Sequence, residues 1–266
     1  MLRFSQTVVH LVAVIRGEGP LPERALALAS ALSLSIVEAR ARLVATPSIV
    51  ARAPTAEAAA LVAGSIKAAG FDTLAFDPAA SPFVTRQLQV RSFEFKDDVF
   101  RASPRQGASV EVPLAAIRLI LRGTETTTEV QEKAVSSKKF NPALAVATGG
   151  LVMRTKKSTT VRSVSESMSG FVHVYATKGP PLLFSEFSLD FQGLGASLER
   201  SRMLNMKVLL DTLRGAAPNG AFDDRLMRRS SQAQLLGPGL PPETNISVAS
   251  ALLAMAVWAA PGAPSR

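Results

Sequence analysis

The chain has 266 residues, so two domains are expected, and its 47% apolar content supplies enough material for packed cores. It contains no cysteine, which excludes disulfides, thiolate catalysis and cysteine-bound metals, and suits a reducing, cytoplasmic setting. The formal net charge is +9. It is unevenly spread, with seven Lys and Arg against six Asp and Glu in residues 1–77 and 23 against 15 in the rest.

Val8 to Ile15 is a β-branched run closed by Gly17 and Gly19, and reads as a buried strand. Met1 to Gly17 has no hydrophobic run closed by a small-residue cleavage site, so a secretory signal is not expected. Pro22 suits a first helical turn, and Leu26, Ala29 and Ser33 mark a helix over about 22–32. Ser35 and Glu38 stand at capping-box spacing, with Ile36, Ala39 and Leu43 at helical period behind them. Pro47 ends that helix and Ser48–Arg52 is a short strand. Thr55 caps a third helix, Gly70 takes its left-handed end, and Phe71–Phe76 is the last strand. The order β-α-α-β-α-β predicts a small α+β layer over residues 1–77.

On Leu34, Glu38-Ala39-Arg40, Pro47 and the run from Leu61 to Ala68-Ala69-Gly70, this region resembles the C-terminal domain of the bacterial ribosomal stalk protein. The N-degron adaptor of the Clp protease has a similar fold. The resemblance implies the fold only. The family's lysine before the Glu–Ala pair is Val37 here, its turn glycines are Ser33 and Ser35, and the first helix is nearly uncharged, so the translation-factor face does not carry over.

Residues 78–90, beginning Pro78-Ala79-Ala80-Ser81-Pro82, read as a linker. Strands follow at Ser92–Lys96, Val99–Ala102 and Val110–Val112, with turns at Asp97-Asp98 and Pro104–Gly107. Ile117–Leu121 is a buried run ended by Gly123. The polar segment from Thr124 to about Asn141 reads as a loop, and Gly149-Gly150 joins a hairpin of Ala143–Ala147 and Leu151–Arg154. Phe171–Thr177 and Leu182–Phe191 have the strongest strand patterns, with Leu183, Phe187, Leu189 and Phe191 of one parity. Ser201 caps a helix over about 202–214, with Met203, Met206, Leu209, Leu210 and Leu213 on its core face. Residues 91–215 thus form a mostly antiparallel β domain closed by a helix, a topology that resembles the pleckstrin-homology barrel. Residues 216–266 hold a loop and an apolar C-terminal helix over 246–260. At about 15 residues it is shorter than the roughly 20 a bilayer needs, so no transmembrane segment is expected.

No catalytic constellation is legible. His10 and His173 lie in strands without an acid or nucleophile at a recognisable spacing, and Asp97-Asp98 and Asp223-Asp224 suit turns or helix starts, with Arg225, Arg228 and Arg229 placed to neutralise the second pair. There is no P-loop and no nucleophile elbow, and no metal or cofactor is expected. The ionisable side chains are expected to serve solubility, capping and docking without converging on one site. Lys133, Lys138, Lys139, Arg154, Lys156, Lys157 and Arg162 form a cationic stretch free of Asp and Glu, a candidate for binding nucleic acid or phospholipid headgroups. The reading that combines these features is a non-enzymatic interaction or scaffolding protein with a protein partner. The alternatives are an anion-binding module and an enzyme with an unfamiliar site.

Overall fold

The computed structural model describes the backbone of residues 9–140 and 154–260, and their side chains except at 127–140 and 154–166. The chain divides into two compact units, residues 1–125 with 169–266, and residues 126–168. The class is α+β, with a three-stranded sheet and a seven-stranded mixed sheet.

The small sheet follows the expected order: β1 (His10–Gly17), α1 (Leu21–Leu32), α2 (Ile36–Arg42), β2 (Ser48–Ala53), α3 (Ala56–Ala68) and β3 (Phe71–Phe76). The strands run antiparallel in the order β2-β1-β3. Local chemistry sets the helix ends. Ser35 and Glu38 close a reciprocal capping box, and the Thr55 hydroxyl accepts from the Ala58 N–H at 3.2 Å. Gly70 has φ +90°, the left-handed geometry that stops α3.

Both faces of this sheet are covered. Val12 and Val14 point into a core with Leu28, Ala39 and Ile66 of the three helices. Leu11 and Ala13, one residue out of phase, belong to a second core.

Residues 78–90, expected as a linker, hold the short helix α4 (Pro82–Thr85) and the first residues of β4 (Leu88–Lys96). Phe83 is buried, with its ring 5.9 Å from that of Tyr175 and 5.7 Å from that of Trp258.

β5 (Val99–Pro104), β6 (Val110–Pro113), β7 (Ile117–Phe140), β8 (Arg154–Ala176), β9 (Leu182–Ser185) and β10 (Ala221–Leu226) complete the large sheet, ordered β10-β7-β8-β9-β4-β5-β6. β4 and β5, β5 and β6, and β8 and β9 pair antiparallel, whereas β4 with β9 and β7 with β10 are parallel.

Two expectations are corrected here. The polar segment after Thr124 is strand to Phe140, not loop; its threonines and valines are β-branched and fit a strand without an apolar alternation. The strand expected over Leu182–Phe191 ends at Ser185. Leu182 and Phe184 face the core, a turn follows, and Phe187 is 59% exposed. The hairpin expected around Gly149-Gly150 lies outside the described residues. The second unit consists, where described, of the β7 and β8 backbone from residue 126 to 140 and from 154 to 168.

Three further helices are α5 (Arg202–Ala216), between β9 and β10, then α6 (Arg229–Leu236) and α7 (Pro242–Ala259) after β10. α5 is capped by Ser201 and lays Met206, Leu209, Leu210 and Leu213 against Val172, Val174 and Phe184. Met203, expected on that face, is 69% exposed, and the buried polar side chain is Asn205. Asn205 earns its burial by bonding both the N–H and the carbonyl of Glu199.

α7 is the apolar C-terminal helix. Its residues Val248 to Ala254 are all buried, in one core with Leu11 and Ala13 of β1, Leu119 and Leu121 of β7, and Phe171 and Tyr175 of β8. It therefore packs within its own chain and is shared by the two sheets. Among the described residues no helix is long and apolar enough to cross a membrane.

The shared core is tight where β7 passes Phe171. A Cβ on Gly123 would overlap the Phe171 ring and stand 2.8 Å from the Leu226 Cβ. Gly123→Ala is expected to cost about 1–3 kcal/mol through overpacking, read as a lower urea midpoint at unchanged slope.

Candidate functional site: a charged cavity over the C-terminal helix

The residues of the cationic stretch, Lys133, Lys138, Lys139, Arg154, Lys156, Lys157 and Arg162, have side chains outside the described residues. The other candidates are placed. Asp97-Asp98 form the β4–β5 turn, with Asp97 at φ +51°. His10 opens β1. His173 lies on β8 with Phe171 and Tyr175, only 3% exposed. Its Nδ1 is 3.2 Å from the Tyr175 hydroxyl, and burial pushes its pKa down to about 3. A ring that stays neutral inside a core is a packing element.

Asp223 behaves differently from Asp224. It lies on β10, at the edge of the large sheet, and its carboxylate accepts from Arg225 Nε at 2.9 Å and from Nη2 at 2.6 Å. Arg225 Nη1 donates to the Thr46 carbonyl at 2.8 Å. The guanidinium is thus committed on three nitrogens, and the neutralisation expected from Arg225 is present.

A cavity of about 620 Å³ opens beside this pair. One wall is the β3 edge of the small sheet with the end of β1, giving Asp72, Thr73, Ile15 and Arg16. β10 lines it as well, with Asp223 and Arg225. α7 supplies an apolar wall of Leu253, Ala256, Val257 and Ala259, and Lys67 reaches the rim from α3. Five ionisable side chains therefore border one space, which corrects the expectation that they would stay apart. The fold brings them together because α7 holds the exposed ends of both sheets on itself.

Their pairing decides what the space can do. Arg16 grips Asp72 through Nε at 3.0 Å and Nη2 at 2.9 Å. Arg225 holds Asp223. Both carboxylates are spent on arginines, and Lys67 has no ion-pair partner among the described residues. Compared with protein-family models, with curated proteins and with solved structures, the chain matches none of them. Three cations and two anions leave an excess of one positive charge over an apolar wall. The space falls in the range of small-molecule sites, roughly 300–1,000 Å³. Asp224 and His173 do not line it. Sequence reasoning missed the site because its residues lie on β1, α3, β3, β10 and α7, with no shared local pattern.

Proposed function

We propose that this chain is a non-enzymatic interaction protein, acting in the cytoplasm and docking a second polypeptide on the helical layer of its small sheet. The observation that carries this is the exposure of large apolar side chains there: Val37 is 79% exposed, Leu61 75%, Leu26 59% and Ile36 54%. Each sits on a capped or well-packed helix, so exposure does not reflect a failing element. Isolated exposed leucines are ordinary, but several on one layer of three adjacent helices suit an interface. The apolar helix α7, the other docking candidate in the sequence, is consumed internally. The paired state of the cavity carboxylates supports the non-enzymatic reading.

The test is the double variant Val37→Asp with Leu61→Asp. The wild type is expected to co-purify with one polypeptide in fixed stoichiometry, and the variant to lose it while its melting temperature is unchanged. Loss of the partner together with loss of folding, or retention of the partner, counts against the helical layer.

A second reading rests on the acid-free cationic stretch, as a site for anionic polymers. Wild-type affinity for a short DNA duplex should then fall steeply between about 50 and 200 mM salt. Reversing Lys138, Lys139, Lys156 and Lys157 to Glu should remove about four charges' worth of that slope, at roughly 0.9 per neutralised phosphate. An unchanged slope would exclude this reading, and binding to anionic vesicles in its place would assign the stretch to lipid headgroups.

A further inference from the structure

The geometry points to the cavity over α7 as a binding site for a small organic monoanion with an apolar body, such as a medium-chain carboxylate. This goes beyond the docking role and does not depend on it. The balance of charge inside a space of ligand size carries this. Asp223 is held by Arg225, and Arg225 engages all three nitrogens with Asp223 and the Thr46 carbonyl, so this pair is the more committed of the two. Arg16 commits Nε and Nη2 to Asp72 and leaves Nη1 without a partner among the described residues. Its ion pair is 59% exposed on both sides, and such pairs contribute little, so a ligand anion can share the guanidinium at small cost. Lys67 brings a whole uncompensated charge to the same rim.

In the same space as these two cations, α7 offers Leu253, Ala256 and Val257 with no polar side chain among them. A head group of one negative charge would pair with Lys67 and Arg16. A hydrocarbon body would cover the α7 wall and gain roughly 25 cal/mol per Å² of apolar surface removed from water. A neutral apolar molecule would leave Lys67 unpaired. A dianion would face Asp72 and Asp223 at short range. The monoanion is the charge state that balances the site.

The experiment uses the full chain with 8-anilinonaphthalene-1-sulfonate as fluorescent probe and octanoate as competitor. Saturable binding of one probe per chain is expected, displaced by octanoate and not by octanol at equal concentration. Lys67→Glu, a change on the exposed face of α3, should weaken both ligands by about tenfold or more. Val257→Trp should block the apolar end. If that variant fails to fold, Ala259→Trp at the exposed end of α7 takes its place. Displacement by octanol as readily as by octanoate would overturn the inference. So would affinity unchanged within about twofold in Lys67→Glu, or probe binding that persists in the tryptophan variant.

Discussion

Leu252→Ala is expected to destabilise the protein by about 2–5 kcal/mol, and Leu252→Asp to prevent folding under native conditions. Leu252 is fully buried in the middle of α7, in the one core that contains residues of both sheets. Truncation to alanine removes methyl groups from the core that both sheets share, and neither sheet can move in to close the gap without leaving its own helical layer. Aspartate would place a charge where no cation is within the described core. The measurement is urea unfolding followed by far-UV circular dichroism and by Trp258 fluorescence. Trp258 lies on the same helix, one turn and a half further on. A single loss seen equally by both probes is the expected result. A fluorescence change at preserved ellipticity would mean that α7 detaches while the sheets survive, and the shared core would then be an accessory.

The second large effect is acid lability traced to His173. Its ordinary pKa is about 6.5 and burial pushes the folded value down to about 3. Between these values the unfolded chain takes up a proton that the folded chain refuses, so stability rises with pH across this window and is lost as pH falls below about 6.5. The slope is up to about 1.4 kcal/mol per pH unit and sums to roughly 1.5 kcal/mol between pH 6.5 and 5. The carboxylates act lower. Glu38 and Glu57 are held below their usual values, mainly by the Ser35 hydroxyl and by a backbone N–H respectively, so their contribution fades only as pH falls through those lowered values. Glu125 is raised by burial and works in the opposite sense. Because Glu125 offsets part of this loss, the comparison with a His173 variant isolates the histidine. Urea midpoints of the wild type should drop from about pH 6.5 to 5, and those of His173→Gln should stay nearly level. Equal drops in the two proteins would assign the lability elsewhere.

Much of the architecture could be read from local chemistry. Ser35 with Glu38, Thr55, Gly70 and Ser201 each act on neighbours within a few residues, so their effect is written in adjacent letters. What failed depended on distant partners. The series Leu183, Phe187, Leu189 and Phe191 looks like one strand face, yet the chain turns after Ser185: Leu182 and Phe184 of the strand are buried, Phe187 is exposed, and Leu189 and Phe191 reach the same core from beyond the turn. Arg202 fixes that turn by donating to the carbonyls of Glu186 and Leu189, a bond pattern with no periodicity to detect. Met203 and Asn205 exchanged their expected environments because Glu199 supplies the amide with partners. The cavity was illegible for the same reason. Only the Asp223–Arg225 pair, two residues apart, had a sequence trace.

The order in which these pieces leave the ribosome carries a cost. β1 is made before the other elements described, and the residues that cover its second face, Val248 to Ala254, come about 240 positions later. At translation speeds of about 5–20 residues per second, nascent Leu11 and Ala13 wait on the order of tens of seconds for their lid. During that time the chain displays two bare sticky sheets, and a holdase or slow, dilute synthesis would raise the yield of soluble product.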